Sequence, residues 1–416
     1  MRTVQILRRF SFNEWGGTET VVWNLARQLR VTGNPVEIAA TAAFDRVGCR
    51  EVEQIAVHRF KTFYPMLGLR AESRATLERK GGNPFALGLY NYLVGTPADL
   101  LHCHCMQRLA NTTRRAAAAK DIPYVISFQG GHAELAEPEL LEMTKPIQFW
   151  LNYGNVLDYW FHERSYLNKA HGIVCVDYQE YQDVRQRFPE KPVEYLPNGV
   201  DHVRFGTPSG VNFRAVFNIP PDRCLILCIS RIDSTKNQHR LLELTRALLD
   251  RHQNPHLVLI GPISSELYYE KLIGDMAELN LSDRVTISRG LRFDDPLLEA
   301  AYQAADCFIL PSVQEPFGIV VLEAWAAGTP VICSRVDGLR RLVTDGETGL
   351  FFDDFSSDDL LRKFQLLQEH PELRQRLIDG GRREVTAKYS WEKITRQLLN
   401  FYDTVRLRYR EPLPED

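Results

Sequence analysis

The chain has 416 residues, more than one hydrophobic core usually organises, so two domains are expected. Hydrophobic residues make up 44% and charged residues 25%, and the formal net charge of -3 argues against wholesale electrostatic binding of nucleic acid. No segment reaches the roughly 18 consecutive apolar residues that span a bilayer, and the charges near Met1 do not suit a signal peptide. We therefore expect a cytoplasmic protein without a nucleic-acid partner.

The first half of the chain alternates β-branched runs with helical patterns. A helical pattern at Thr18–Val31 follows Gly16 and Gly17, which permit a ligand to approach the backbone closely but could equally serve the turn alone. Within 54–84 we assign only a surface loop, Glu78–Pro84. The predicted strands are Val4–Phe10, Pro35–Ala40, Asp99–His104, Tyr124–Phe128, Gly172–Val176 and Val193–Leu196.

The third of these strands carries the most metal-like cluster of the sequence, His102-Cys103-His104-Cys105. Side chains alternate along a strand, so both histidines face one way and both cysteines the other. Four ligands cannot converge on one ion from opposite faces. We therefore predict no metal site here, and instead a buried strand that ends at a functional loop.

The strand and helix alternation restarts after a turn signature at Pro197–Asp201 and a loop-like stretch to about Asp222. We place the domain boundary there, with 1–197 as the first domain and 198–390 as the second. Helical patterns at Gln238–His252 and Ser265–Leu279 lie between the later strands. These strands are Cys224–Ile229, His256–Ile260, Val285–Ser288, Cys307–Leu310 and Pro330–Cys333.

Most of the predicted strands are continuous apolar runs rather than alternating ones. Such runs are typical of strands that are buried on both faces of a parallel sheet. The sequence therefore predicts an α/β protein with two doubly wound, Rossmann-like domains. Ser390 can cap a final helix, whose apolar-periodic stretch runs through Tyr402.

The densest motif spans 311–324 and follows the fourth predicted strand of the second domain. Ligands of open α/β sheets bind outside the carboxyl ends of strands. Gly318 lets the backbone approach a ligand, and the amides of Gly318, Ile319 and Val320 would be the unpaired donors of a helix N-terminus, which favour an anion such as diphosphate. Two carboxylates flank this turn, Glu315 in the loop and Glu323 in the helix, and each can accept hydrogen bonds from vicinal hydroxyls.

Two cations, Arg231 and Lys236, follow the first strand of the second domain. They could neutralise a diphosphate leaving group, the guanidinium as a fork and the ammonium as a point charge. The alternative, a pair of ordinary surface cations, stays open from the spacing alone. The chain has neither GxGxxG nor GxxxxGK[ST], which weakens the hypotheses of a dinucleotide oxidoreductase and of an NTPase.

Taken together, these residues resemble the retaining, GT-B-fold glycosyltransferases of family 4, in order along nearly the whole chain. The two-glutamate motif is the most specific element. The resembling segments are Gly16-Gly17 as the N-terminal glycine loop, Pro197–Asp201 as the interdomain signature, Arg231 and Lys236 as the diphosphate-binding pair, Glu315 through Glu323, and the later loops Asp337-Gly338 and Asp345–Leu350.

The resemblance implies two domains that face a central cleft, with 391–416 crossing back onto the acceptor-side first domain. It implies that Glu323 binds the ribose hydroxyls, that Glu315 binds the transferred sugar, and that the backbone of Phe317, Gly318, Ile319 and Val320 holds the phosphates. The base would lie near Gly261 and Leu291. The family uses cationic side chains and amides where other enzymes use a divalent metal, so no metal and no cofactor is expected.

The resemblance also implies a histidine of the first domain that faces the donor sugar. His104 is our choice, and His102 on the same strand face is second. Related enzymes often carry a histidine after the next strand, where this chain has Gln129, which cannot titrate near neutrality as histidine does. Whether His132 substitutes for it stays open.

The implied activity is transfer of a hexosyl group from a nucleoside diphosphate sugar, with UDP favoured, to a hydroxyl of a saccharide or lipid-linked saccharide in polysaccharide or glycoconjugate synthesis. Two alternatives are a nucleotide-sugar 2-epimerase and a non-catalytic nucleotide-sugar-binding protein. Peripheral contact with the inner membrane face is a separate hypothesis. It rests on a basic helical stretch, Arg108, Arg114, Arg115 and Lys120, for which a solvated helix face is the favoured interpretation.

Overall fold

A computed structural model describes residues 1–12, 15–66, 69–80, 82–128, 166–292, 294–353 and 357–410. The chain divides into two compact units. One consists of Met1–Pro197 together with Trp391–Asp416, and the other of Asn198–Ser390.

The first unit is built on one sheet with the strand order β3-β4-β2-β1-β6-β7-β8-β9, and β5 pairs with β4. The pairs β3 with β4 and β4 with β5 are antiparallel, and the others are parallel. The strands are β1 Thr3–Arg9, β2 Val36–Thr41, β3 Gly48–Val52, β4 Ile55–Phe63, β5 Phe85–Leu87, β6 Leu100–Cys103, β7 Tyr124–Phe128, β8 Gly172–Cys175 and β9 Val193–Tyr195. The helices are Gly17–Val31, Ala71–Lys80, Leu89–Gly95, Gln107–Lys120, Tyr178–Arg187 and Trp391–Arg410.

The last helix, Trp391–Arg410, packs on the sheet of the first unit. Its Tyr402 is fully buried, and Gln397 donates to the carbonyl of Tyr195 at 3.0 Å. The approach at β8 is close, because a Cβ added at Gly172 would lie 2.5 Å from a methyl group of Val405. The absence of a side chain at this strand position therefore lets the helix lie directly on the sheet.

The second unit has a fully parallel sheet with the order β12-β11-β10-β13-β14-β15. Numbered within the unit, this order is 3-2-1-4-5-6, as in a dinucleotide-binding fold. The strands are β10 Cys224–Ile229, β11 Pro255–Ile260, β12 Val285–Ser288, β13 Cys307–Leu310, β14 Val331–Ser334 and β15 Leu350–Phe352. The helices are His202–Gly206, Phe213–Val216, His239–Asp250, Glu266–Glu278, Pro296–Ala304, Ile319–Ala327, Asp337–Leu342, Ser357–Glu369 and Pro371–Glu384, with a 3-10 turn at Ser234–Lys236 and a π-helical turn at Val385–Tyr389.

The predicted α/β class with two Rossmann-like parallel sheets is confirmed. The predicted surface loop Glu78–Pro84 is wrong at its start, because Glu78 is buried within the helix Ala71–Lys80. The strand β4 was missed, although its burial alternates from Ile55 as a half-buried strand requires. One of its inward positions is the buried Arg59, whose guanidinium donates to the carbonyl of Phe10 at 2.8 Å. A charged residue at a core position interrupts the apolar pattern by which a strand is predicted.

Candidate active site

The two predicted loops of the second domain lie at the reversal of its strand order. β10 and β13 are neighbours at the centre of the sheet, and the chain proceeds outward from them in opposite directions. Their following loops carry the cationic segment Ser230–Gln238 and the segment Pro311–Gly318. Crevices at such switch points are the usual ligand sites of open α/β sheets.

Lys236 joins the two loops. Its Nζ lies 2.8 Å from Oε2 of Glu315 and donates to the carbonyl of Gln314 at 3.3 Å. Lys236 is buried at the end of a 3-10 turn, which Asp233 caps by accepting from the amide of Thr235 at 3.1 Å. The capped turn fixes the start of the lysine side chain, and the carboxylate of Glu315 fixes its end.

Arg231 has a different environment from Lys236. Its side chain is 53% exposed, and its Nη2 lies 3.4 Å from Oδ2 of Asp233. The buried Gln238 holds the backbone beneath it by donating to the carbonyl of Arg231 at 2.7 Å. The structure therefore brings Lys236 to Glu315, whereas it leaves the guanidinium of Arg231 in solvent beside Asp233.

Gly318 ends the second loop and precedes the helix Ile319–Ala327. Its φ of +94° is left-handed, and an added Cβ would lie 2.7 Å from a methyl group of Leu339, so glycine suits both the turn and the packing. In the described part of the chain, the amides of Gly318, Ile319 and Val320 have no protein acceptor. They are donors available to an anion.

Phe317 is buried, and its ring meets that of Tyr389 edge to face at a centroid distance of 6.1 Å. The buried ring leaves the backbone as the part of Phe317 that could meet a ligand. Gly338 contacts the same loop from the helix Asp337–Leu342. Its amide donates to the carbonyl of Glu315 at 3.1 Å, and an added Cβ would lie 2.3 Å from the carbonyl oxygen of Pro316. Gly338 thus buttresses the carboxylate loop.

Glu323 lies on the helix Ile319–Ala327 and is partly exposed. The hydroxyl of Tyr302 donates to its Oε2 at 2.7 Å. Burial raises the pKa of Glu323 to about 7, while the hydrogen bond from Tyr302 and the charge of Arg204 oppose this rise and the charge of Glu299 adds to it. The prediction that Glu315 is in the loop and Glu323 in the helix is confirmed.

Gly261 and Leu291 follow the strands β11 and β12. An added Cβ at Gly261 would lie 1.8 Å from the carbonyl oxygen of Ser230, so only glycine allows these two strand ends to approach. Gly290, with φ of +109°, turns the chain ahead of the partly exposed Leu291. The structure thus places both predicted base-side positions at the same sheet edge as Ser230.

The first unit holds the remaining predicted residues. Gly16 precedes the helix that begins at Gly17, and an added Cβ there would lie 2.9 Å from Oε2 of Glu19. Glu19 is paired with Arg9 at 2.9 Å. The packing of Glu19 therefore leaves little room for a side chain at position 16.

His104 and His102 are both buried. Nε2 of His104 lies 2.8 Å from Oε1 of Gln5, and burial lowers the pKa of His104 to about 3. The nitrogens of His102 lie 2.5 Å from the hydroxyl of Tyr402 and 2.6 Å from that of Ser127.

The predicted alternation along this strand is confirmed. The rings of His102 and His104 are 4.0 Å apart, and the sulfurs of Cys103 and Cys105 are 3.5 Å apart. No group of three metal-binding side chains occurs within the described residues. Gln129 and His132 lie outside those residues.

The basic stretch of the helix Gln107–Lys120 is only partly a solvent-facing surface. Arg108 is buried and donates to the carbonyl of Asn83 at 2.7 Å. Lys120 donates to the carbonyls of Val94 and Thr96 at 3.0 and 2.8 Å. A solvated face is therefore the wrong interpretation for Arg108. Throughout the described ranges, no helix is both long enough and apolar enough to span a bilayer.

Two family models match the chain. The model of Glycosyltransferase Family 4 matches residues 15–204, and that of glycosyl transferases group 1 matches residues 211–384. The chain belongs to the GT-B glycosyltransferases of family 4. Among curated relatives of this family member, the D-inositol 3-phosphate glycosyltransferase of Corynebacterium urealyticum is 31% identical over 252 residues, which are 58% of this chain and 58% of that protein. The chain spans about half the length of the curated relatives it matches.

Solved GT-B structures match almost the whole chain. Sucrose-phosphate synthase from Thermosynechococcus elongatus has a TM-score of 0.71 at 20% identity, over 98% of this chain and 100% of that one. HepE from Anabaena, solved in complex with UDP-glucose, has a TM-score of 0.69 at 18% identity, over 97% of this chain and 99% of that one. At these identities the likeness establishes the shared fold.

Proposed function

We propose that this GT-B family member transfers a hexosyl group from a nucleoside diphosphate sugar, with UDP as the nucleotide, to an acceptor hydroxyl, with retention of the anomeric configuration. The unit Asn198–Ser390 would bind the donor, and the other unit would provide the acceptor side. The observation that carries the proposal is the ion pair of Lys236 and Glu315 at the switch point of the second sheet, on the loop that leads to the available amides of Gly318, Ile319 and Val320.

The departing diphosphate would be neutralised by protein groups. Lys236 supplies a buried ammonium, and the amides of Ile319 and Val320 supply the positive end of a helix. The exposed guanidinium of Arg231 could add a second cation on diphosphate binding. Preorganised donors of this kind stabilise the charge that develops on the leaving group, so the transfer would proceed without a divalent metal.

The two carboxylates would bind hydroxyls. Glu315 shares Oε2 with Lys236, so its Oε1 is the atom that would accept from the transferred sugar. Glu323 would accept from the ribose. The sites after β11 and β12, at Gly261 and Leu291, would border the base, because both follow strand ends at this edge of the sheet.

His104 would contribute differently from a titrating base. Its low pKa keeps the imidazole neutral at physiological pH, and Nε2 is held by Gln5. We therefore propose that His104 acts on the donor sugar through hydrogen bonding or packing. The Gly16 and Gly17 turn would border the same ligand through its backbone.

The acceptor would be a saccharide or a lipid-linked saccharide in the synthesis of a polysaccharide or glycoconjugate, on the cytoplasmic side of the membrane. Several curated relatives are named D-inositol 3-phosphate glycosyltransferases, which supports a polyol hydroxyl as the general class of acceptor group. Because Arg108 is buried, any membrane contact of this helix would have to rely on more exposed basic residues such as Arg115.

The test is a transfer assay with a panel of UDP-sugars and saccharide acceptors in the presence of EDTA. We expect glycosylated product and free UDP in equal amounts, with the donor's anomeric configuration in the product by NMR. An inverted product would contradict retention, and loss of activity in EDTA that Mg²⁺ restores would contradict metal independence. Sugar isomerisation without an acceptor would indicate an epimerase, and binding without turnover would indicate a non-catalytic protein.

A further inference from the structure

Tyr302 contacts the candidate nucleotide-binding carboxylate from the core of the second unit. It lies on the helix Pro296–Ala304 and is fully buried. Its ring meets that of Phe205 edge to face at 5.6 Å and lies 5.5 Å from that of Phe308. Packing from both rings fixes the direction in which the hydroxyl points.

That hydroxyl points at Glu323, to whose Oε2 it donates at 2.7 Å. Among the described residues, the hydroxyl has no other hydrogen bond, and Oε1 of Glu323 has none from the protein. Glu323 is a partly exposed residue, and since Tyr302 occupies only Oε2, Oε1 remains to accept a hydrogen bond from a ligand. A carboxylate on a flexible side chain gains a defined orientation when one oxygen is fixed in this way.

We propose that Tyr302 is a positioning residue that fixes the carboxylate of Glu323 so that its free oxygen accepts a hydrogen bond from a nucleotide ribose. The inference rests on the proposed ribose role of Glu323 and deepens it. It adds a residue of the helix Pro296–Ala304, which the two-glutamate motif does not include.

The same hydrogen bond affects the charge of Glu323. Burial raises the pKa of Glu323 to about 7, and the bond from Tyr302 is the largest opposing influence. Arg204 and Glu299 also face this carboxylate, the first lowering its pKa and the second raising it, and they are paired with each other. Removing the tyrosine hydroxyl should therefore raise the pKa of Glu323 further and leave less ionised acceptor at neutral pH.

The hydroxyl of Tyr302 remains protonated, and so remains a hydrogen-bond donor, at the pH at which Glu323 titrates. Its pKa lies well above the ordinary value because of burial and the neighbouring Glu323. A purely structural role for the same bond would satisfy a buried hydroxyl and stabilise the fold, but it would not couple nucleotide affinity to pH. The two roles therefore make different predictions.

The test is Tyr302→Phe, which keeps the packed ring and removes only the hydroxyl. Calorimetric titration with UDP should show about ten-fold weaker binding at pH 7, because binding must then immobilise a freed carboxylate, of which a larger fraction is protonated. The pH at which affinity falls should move upward from that of the wild type. Tyr92→Phe is the matched control, because it removes a tyrosine hydroxyl that donates to Glu37 at 2.5 Å in the first unit. Tyr92→Phe should change neither the affinity for UDP at pH 7 nor the pH at which that affinity falls.

A double variant tests whether Tyr302 acts through Glu323. Tyr302→Phe combined with Glu323→Gln should bind UDP like Glu323→Gln alone, because the positioned carboxylate is already gone. Additive losses would overturn the positioning role, as would wild-type affinity and an unshifted pH dependence in Tyr302→Phe. If Glu323→Gln alone binds UDP like the wild type, the ribose role of Glu323 is wrong, and this inference falls with it. If Glu323→Gln binds UDP weakly and Tyr302→Phe binds it normally, the positioning role of Tyr302 is wrong, while the ribose role of Glu323 stands.

Discussion

We expect the Lys236–Glu315 ion pair to stabilise the fold and Lys236 to neutralise the leaving diphosphate. A double-variant cycle separates these two roles. The two side chains are 11% and 14% exposed, and their charged atoms are 2.8 Å apart. At an effective dielectric constant of about 20, the gross attraction is about 6 kcal/mol. Desolvation offsets most of it, so we expect a net coupling of about 1.5–3 kcal/mol, as for a hydrogen bond to a charged group.

The cycle consists of Lys236→Met, Glu315→Gln and the double variant. Urea unfolding followed by fluorescence and circular dichroism gives the free energies of unfolding. Each substitution should cost more stability in the wild type than in the background of the other substitution. In the wild type it leaves a buried charged partner uncompensated. Transfer activity should not show this compensation between the two substitutions. Loss of the lysine should lower kcat by about 10²–10³, and the second substitution should not restore it.

A surface pair on the same unit provides the control for this cycle. Arg246 and Asp250 lie 2.5 Å apart on one helix, and their side chains are 34% and 60% exposed. Their coupling should be only about 0.3–0.5 kcal/mol, and their replacement should leave transfer unchanged. A Lys236–Glu315 coupling as small as this would show that the ion pair does not persist in solution. Recovery of kcat in the double variant would show that Lys236 serves only to neutralise Glu315.

Two further predictions concern the helix Ile319–Ala327. Because the folded-state pKa of Glu323 is raised from 4.5 to about 7, its contribution to stability is complete below pH 4.5 and is lost as pH rises through 7. Glu323→Gln should therefore gain in Tm relative to the wild type between pH 5 and pH 8, and a constant difference would contradict the raised pKa. Gly318→Ala should cost about 1–3 kcal/mol, since it combines a φ of +94° with a contact to Leu339 at 2.7 Å. Gly346→Ala shares a left-handed φ of +75° without any close neighbour and should cost less, so equal losses would contradict the packing argument.

Strand and helix alternation was enough to predict both parallel sheets, because their strands are continuous apolar runs such as Ile173–Cys175. Strands that break this pattern escaped the prediction. The first unit contains β4 with a buried arginine, and the second contains β15, only three residues long. A short strand or a buried charge carries little periodicity, so tertiary contacts decide such elements.

The site was predictable where one loop carries its chemistry. The motif from Glu315 to Glu323 is contiguous, and the structure gives it the predicted loop and helix. Tyr302 could not be found in this way, because it reaches Glu323 from another helix through a hydrogen bond. The resemblance included Gly338, but its contact with the Glu315 loop depends on the tertiary structure. Neither the strand pattern nor the resemblance indicates that the side chain of Arg231 remains 53% exposed.

We propose above all that a nucleoside diphosphate binds through Lys236 at the carboxyl ends of the central strands β10 and β13. Calorimetric titrations with UDP and with uridine, in EDTA, test it on the wild type and Lys236→Met. We expect the wild type to bind UDP more tightly than uridine, and Lys236→Met to lose most of that difference while its uridine affinity is unchanged. An equal preference for UDP in both proteins would contradict the proposed diphosphate site.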